Sequence, residues 1–445
     1  MKLLNKTLIG SVLLSGGFTQ CTEKQENEIP NVILIYTDDQ GFADLNCFGS
    51  EDLVTPHTDK LVESGVKFTQ FYAHTVCSPS RAGLLTGKTP QRAGVPGNVG
   101  RVRGGLDNEQ YTMANMFRDA GYKTAHIGKW HLGHEEDKQP NSQGFDYSFG
   151  HLGGCIDNYS HFFYWSGPNL HDLYRNGEEV FYCGEFFPDL MVKEASGFME
   201  NNKNNPFFIY FALNTPHYPY QGTPDWIEYY QEKGVAYPRD LYAAFISTQD
   251  EKIGALLQKL EDLGLRENTI VIFQSDNGHS TEERAHFGGG SAGIYRGAKF
   301  SLFEGGIRVP AAISWPAGLR SGEVRDQMAV NADWMPTLAD LCGIDLDTGE
   351  LDGRSLIPVI QDENAESQHI NGYCWKSNRH WAARKGDWKL LGNPRIEHEE
   401  FAPADSLFLV NLKNDPGEMN NLAEENPEKV KELINLYEKW LEQNQ

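Results

Sequence analysis

The chain is predicted to be an α/β protein, with a mostly parallel sheet sandwiched by helices and a smaller C-terminal α+β subdomain of antiparallel sheet plus helix. Three observations carry this expectation. Apolar runs of strand length recur through the first 350 residues, helical periodicities separate them, and after about Leu351 the texture changes to short alternating segments.

The runs are residues 31–36, 123–127, 206–213 and 269–273, each long enough for a strand buried on both faces. Each empties into a polar cluster: Thr37-Asp38-Asp39, Gly128-Lys129-Trp130-His131, Asn214-Thr215-Pro216-His217 and Gln274-Ser275-Asp276-Asn277. Helical patterns fall at residues 112–120, 241–263 and 333–341. Open α/β sheets bind ligands at the carboxyl ends of their strands, so the four clusters are expected to converge on one rim. Residues 381–391 and 406–412 read as antiparallel strands and residues 427–441 as an amphipathic helix. The expected organisation is a leader at residues 1–21, a catalytic domain at 28–350 and a subdomain at 351–445.

With 445 residues, 39% apolar and 12% aromatic, the chain can bury one large core, which excludes a disordered or fibrous protein. Its net charge of -23 excludes general nucleic-acid binding, and any anionic substrate must meet a local basic pocket. The start is basic at Lys2 and Lys6, apolar over residues 8–18 and polar after Cys21, which reads as a signal peptide too short to span a bilayer. Cys21 stands where a bacterial lipoprotein is cleaved and acylated, although Phe18-Thr19-Gln20 departs from the small residues usual there. The chain is therefore expected to be exported, touching a membrane only through an anchor at Cys21. Seven cysteines in no paired Cys-x-x-Cys pattern exclude a zinc set and leave pairings among Cys47, Cys155, Cys183, Cys342 and Cys374 open.

The stretch from Cys77 to Gly87 holds the densest chemistry. Ser78 suits a helix N-cap, Pro79 the first helical position and Gly87 a C-terminal stop, so a short helix is expected to begin just after Cys77. Backbone amides there favour anions. From Cys77 to Leu106 the chain carries Arg81, Lys88, Arg92, Arg101 and Arg103 and no acid, so an anion is expected to bind there. Asp38-Asp39 and Asp276-Asn277 end two separate buried strands. Carboxylates so gathered repel unless a cation joins them, and their hard oxygens suit calcium or magnesium.

Cys77-Ser78-Pro79-Ser80-Arg81, followed by Thr86-Gly87 and preceded by residues 55–61 and Gly65-Val66-Lys67-Phe68, resembles the signature of the type I, formylglycine-dependent sulfatases. The resemblance covers nearly the whole mature chain. Asp38-Asp39-Gln40-Gly41 and Ser275-Asp276-Asn277-Gly278 resemble that family's metal loops, residues 128–133 its lysine-histidine motif, Pro216-His217 its next histidine, and Lys299 its second sulfate-binding lysine. Gly144-Phe145-Asp146, Asp157-Asn158-Tyr159-Ser160-His161 and Asn176-Gly177-Glu178-Glu179 resemble the arylsulfatase B group of N-acetylgalactosamine-4-sulfatases.

The resemblance implies an alkaline-phosphatase-like fold and a cysteine, Cys77, converted to formylglycine by a maturation enzyme. It further implies one Ca2+ held by Asp38, Asp39, Asp276, Asn277 and the modified Cys77. Arg81 and Lys129 would orient the aldehyde hydrate, Lys129 and Lys299 would neutralise sulfate oxygens, His217 would protonate the leaving oxygen and His131 would deprotonate the hydrate. The substrate it suggests is a sulfated mono-, oligo- or polysaccharide, attacked from its end at a 4-O-sulfated galactose or N-acetylgalactosamine by an enzyme of the Gram-negative periplasm or outer membrane. Alternatives are 6-O or 3-O regiospecificity, or a phosphonate or phosphate monoester hydrolase of the same superfamily. A non-catalytic carbohydrate-binding lipoprotein is disfavoured by the intact set of Cys77, Arg81, Lys129, His131, His217 and Lys299. Phe162, Phe163, Tyr164 and Trp165 form an aromatic run suited to the core or to stacking on a sugar.

Overall fold

Five apolar strands pair in parallel in the order Thr269–Ser275, Asn31–Thr37, Phe207–Ala212, Lys123–Lys129, Tyr147–His151. The computed structural model describes residues 29–101, 104–163 and 168–444, so the leader with Cys21, Arg103, Tyr164 and Trp165 lie outside the described residues. Antiparallel strands extend the sheet at both ends, Ala311–Ser314 and Val66–Phe68 beyond one edge and Tyr174–Arg175 and Glu178–Glu179 beyond the other.

The central strand, Asn31–Thr37, is buried along its whole length. Its alternate side chains divide between two cores, as the period of two requires. Val32, Leu34 and Tyr36 pack with Leu84 and Leu85, Phe117 and Trp334 from the helices Cys77–Thr86, Met113–Asp119 and Trp334–Cys342. Ile33 and Ile35 pack on the opposite face with Leu61, Leu190 and Leu256 from the helices Pro56–Glu63, Phe187–Asn202 and Arg239–Asp262. The expected α/β architecture is thus present, and its strands have a carboxyl rim. One expected strand runs further than its pattern suggested: the pairing opposite Tyr147–His151 carries 123–127 on to Lys129, so the lysine is part of the sheet.

Four antiparallel strands, Tyr373–Ser377, His380–Lys385, Trp388–Gly392 and Leu407–Asn411, form the second sheet. One face takes the amphipathic helix Pro427–Gln443 through Leu433 and Tyr437. The other, with Trp375, Ala382 and Leu391, packs on Tyr72, Phe303 and Ile307 of the main body. The six cysteines among the described residues are all unpaired. No described helix is long and apolar enough to cross a membrane.

The helix carrying the central motif departs from expectation in one respect. It begins at Cys77 itself, with Val76 in extended conformation as its cap, and Ser78 does not cap it. The Ser78 hydroxyl is engaged elsewhere, donating to the His131 carbonyl at 2.7 Å and accepting from the Val99 amide at 3.0 Å. Gly87 ends the helix as expected, in the left-handed conformation at φ 64°, its amide bonded to the Gly83 carbonyl.

Candidate active site

The rim assembles as the strand ends suggest. Asp38 and Asp39 follow the central strand, Asp276 and Asn277 follow Thr269–Ser275, Lys129 ends the strand Lys123–Lys129 with His131 two residues beyond it, and His217 follows Phe207–Ala212. The helix beginning at Cys77 brings its thiol beneath them, and the loop before Glu304–Ile307 brings Lys299. Asp39 and His131 both hold positive φ, 61° and 55°, a region that aspartate and histidine enter more readily than most residues.

The Cys77 thiol donates to Asp38 Oδ1 at 3.3 Å, and Asp39 Oδ1 lies 3.9 Å from the sulfur. Ligand atoms of Asp38, Asp39, Cys77 and Asp276 all lie within 4.8 Å of one another, in a fully buried group. Asn277 Nδ2 donates to Asp39 Oδ1 at 2.7 Å, while its own Oδ1 is buried without a protein partner among the described residues. Three carboxylates, an orphaned amide oxygen and a cysteine at the first position of a helix fit a hard divalent cation.

Two ammonium groups compensate these acids. Lys129 Nζ lies 2.6 Å from Asp38 Oδ2 and Lys299 Nζ 2.7 Å from Asp39 Oδ2. Arg81 spans the floor, bonding Asp276 Oδ2 at 3.0 Å and donating to the Lys129 carbonyl and the Tyr210 hydroxyl. Burial alone would raise the Asp39 carboxyl, yet Lys299, His217 and Lys129 together hold it well below the usual carboxylate range. Burial and the neighbouring Asp38 push Asp276 up to about 7 despite Arg81. Burial, reinforced by Asp276 and Asp38, holds the Cys77 thiol far above its ordinary value, so it is no thiolate nucleophile as it stands.

His131 and His217 line a cavity of about 520 Å³ together with Cys77, Lys299, Tyr218 and Phe300. Burial pushes His217 down to about 3, and burial with Lys129, Arg81 and Lys299 nearby holds His131 well below its ordinary value. His217 Nδ1 donates to the Tyr218 carbonyl at 2.7 Å, so Nε2 faces Asp39 Oδ2, 3.6 Å away. His131 is seated against Gly154, where an added Cβ would come within 2.9 Å of its Cε1.

The catalytic and metal-ligating candidates, Asp38, Asp39, Cys77, Arg81, Lys129, His131, His217, Asp276, Asn277 and Lys299, lie together here, but not all of them face the cavity. Arg81 and Lys129 are completely buried behind Cys77 and Asp38, and they brace the carboxylates from below. The basic stretch also divides. Lys88 and Arg92 pair with Glu350 and Asp352 at the far end of the helix, and Arg101, held by Asp172, is the described member of the stretch outside the helix that reaches the cavity. Acids some 260 positions away neutralise what reads locally as an acid-free run. Phe163 lines the cavity beneath the Arg101 guanidinium, 4.8 Å from its centroid. Sequence reasoning missed Tyr210, an isolated hydroxyl inside an apolar strand, and Glu282, whose Oε2 lies 3.6 Å from Lys299 Nζ.

Comparison with known proteins identifies the family. The profile of the sulfatase family matches residues 30–344, and that of the N-sulphoglucosamine sulphohydrolase C-terminal region matches residues 292–445. An N-acetylgalactosamine-6-O-sulfatase of Bacteroides thetaiotaomicron is 30% identical across 97% of both chains. Arylsulfatase A of Homo sapiens is 35% identical across 88% of this chain and 83% of its own. The solved structure of Ps i-CgsB in complex with k-i-k-neocarrahexaose is similar with a TM-score of 0.83, at 29% identity over 94% of each chain. Fold and site thus define a sulfuric ester hydrolase with an alkaline-phosphatase-like scaffold. The chain belongs to the type I sulfatase family.

Proposed function

We propose that this sulfatase removes the 6-O-sulfate of a galacto-configured sugar, N-acetylgalactosamine foremost, using Cys77 matured to formylglycine over one calcium ion. The sugar assignment draws on relatives named N-acetylgalactosamine-6-sulfatase from Bacteroides thetaiotaomicron, Rattus norvegicus and Homo sapiens. On their weight the 6-O position replaces the 4-O position suggested by the arylsulfatase B-like motifs. The leader reading puts the enzyme outside the cytoplasm, where it would meet sulfated glycans.

The observation that carries the chemistry is Cys77 at the cavity floor with His131, His217 and Lys299 around it. Maturation is a two-electron oxidation of the cysteine β carbon, catalysed by a maturation enzyme that passes the electrons to an external oxidant and releases the sulfur at the sulfide level, and hydration of the aldehyde leaves two hydroxyls on one carbon. One hydroxyl passes its proton to the carboxylates around it as its oxygen attacks sulfur in line, the S–O bond to the sugar breaks, and His217 Nε2 gives its proton to the departing oxygen. The sulfate's negative charge, arriving beside His217, favours the imidazolium needed for that transfer. His131 then takes the proton of the second hydroxyl, the C–O bond to sulfate breaks, and the aldehyde returns. Lys299 neutralises the sulfate oxygens from the cavity wall, while Lys129 and Arg81 hold Asp38 and Asp276 in place. Asp38, Asp39, Asp276 and Asn277 would hold the calcium, which supplies Lewis acidity to the nucleophile and the sulfate.

Two measurements test the proposal. Peptide mass spectrometry of the native protein should find the aldehyde at Cys77, and an active preparation carrying only cysteine there would refute the nucleophile. Turnover of 6-O-, 4-O- and 3-O-sulfated N-acetylgalactosamine should favour the 6-O isomer, with phosphate and phosphonate esters of the same sugar far slower. A faster 4-O isomer would restore the position read from the motifs.

A further inference from the structure

We propose that Arg101 and His134, on the cavity wall beside the sulfate position, form a subsite that reads a free hydroxyl on the sulfated sugar and so determine which sugar is accepted. This rests on the sulfated-sugar reading above and adds to it the residues that select the ring.

Arg101 is rigidly placed. Its Nη1 donates to Asp172 Oδ2 at 2.9 Å, and its guanidinium lies over the Phe163 ring, 4.8 Å from the centroid. Asp172 is itself fully buried and fixed by the amides of Leu152 at 3.1 Å and Gly153 at 2.9 Å. One edge of the planar fork is thus committed, and the side chain keeps partial exposure at the cavity. A fork pre-oriented in this way loses little entropy on meeting a ligand.

His134 lines the same cavity, and neither of its buried ring nitrogens has a protein partner among the described residues. Its backbone is anchored, the carbonyl accepting from Gln139 Nε2 at 3.0 Å. Buried ring nitrogens are ordinarily bonded, and a pair without a protein partner, in a residue that lines the cavity beside the reacting group, suits a ligand.

The chemistry of the pair favours a neutral hydroxyl over a second anion. Asp172 already balances the Arg101 charge, and burial together with Arg101 holds His134 toward its neutral form. A neutral imidazole offers one N–H and one lone pair, and a hydroxyl is the sugar substituent that can both donate and accept. Phe163 and Leu170 supply apolar wall next to these polar atoms, as the carbon-bound hydrogens of a sugar face require.

The test uses the full-length matured enzyme, the parent sulfated sugar, and analogues each lacking one ring hydroxyl. His134→Ala should lower kcat/KM on the parent sugar by roughly 10–100-fold, mostly through KM, and at least about tenfold more than on an aryl sulfate. The unsubstituted enzyme should lose a similar factor on one particular deoxy sugar, and His134→Ala should lose nothing further on that analogue. Arg101→Lys, which keeps the charge opposite Asp172 but not the fork, should behave in the same way. Variants that discriminate between parent and every deoxy sugar as well as the unsubstituted enzyme would overturn the proposal. So would losses confined to substrates bearing a second sulfate or a carboxylate. Calorimetric binding of parent and deoxy sugars to the Cys77→Ala protein reads the subsite without turnover, so failure of the nucleophile reading shows separately in aryl sulfate hydrolysis.

Discussion

Lys129 Nζ lies 2.6 Å from Asp38 Oδ2, and both side chains are wholly removed from solvent. An ammonium at the end of one strand is thereby tied to a carboxylate at the end of another, with Phe207–Ala212 between them in the sheet. Removing one member of such a pair leaves the other buried and unmatched. Lys129→Met should therefore destabilise the metal-free protein by about 3–5 kcal/mol in urea denaturation, and adding Asp38→Asn should recover much of that loss. A single variant within about 1 kcal/mol of the parent would mean that Arg81, 3.7 Å from Asp38, suffices alone.

Cys77 is buried and touches the carboxylates only through its thiol, so Cys77→Ala should fold with near-parental thermal stability. Its turnover should nonetheless fall by roughly 10³-fold or more, as expected when a nucleophile is deleted. Retained sulfatase rates would refute the assignment.

His217 lines the cavity with Nδ1 committed to the Tyr218 carbonyl, which leaves Nε2 as the nitrogen able to protonate a leaving oxygen. His217→Ala should slow sugar sulfates by roughly 10²–10⁴-fold and activated aryl sulfates much less, because a good leaving group needs no proton. Equal losses on both would remove it as the general acid.

Gly154 makes room for the His131 ring. In Gly154→Ala the new methyl would press on Cε1 and Nε2, at 2.9 and 3.0 Å, and the ring can yield because it is the end of a side chain. Stability should change little, while kcat drops by about 10²-fold from the displaced base. An unchanged kcat would show that the imidazole has latitude in its seat.

Away from the active site, Glu418 and Glu304 share Lys389 at 3.0 and 2.8 Å beneath the second sheet. Burial, with Glu304 beside it, pushes Glu418 up to about 7 against the pull of Lys389. Glu304 is held low instead, since Lys389, Arg308 and Arg384 outweigh its burial. A carboxyl raised in the folded state keeps its proton where the unfolded chain has lost it, so its contribution is full below about pH 4.3 and is lost as pH rises through 7. Between pH 5 and 8 the melting temperature should fall, and Glu418→Gln should flatten that fall. A parallel curve in the variant would assign the pH dependence to other groups.

Much of this molecule was legible locally. Strand runs ending in Asp38-Asp39, Asp276-Asn277, Lys129 and His217 announced both the sheet and its functional rim, because the period of side chains and the chemistry of strand ends are encoded within a few residues. The central motif announced the helix and its glycine stop, and composition announced that any anion site had to be built against the global charge.

What folding alone decided is which charges meet. Within residues 77–106, Arg81 turns beneath Asp276, Arg92 turns away to Asp352, and Arg101 is fixed over Phe163 by Asp172. Nothing near these arginines in the chain distinguishes them, since their partners lie from 71 to 260 positions away. The type of fold, the reaction class and the residues that crowd the rim follow from local patterns along the chain. Which of them face the cavity and which brace those that do is set by long-range contacts, because ion pairing and burial depend on neighbours that the chain brings together only on folding.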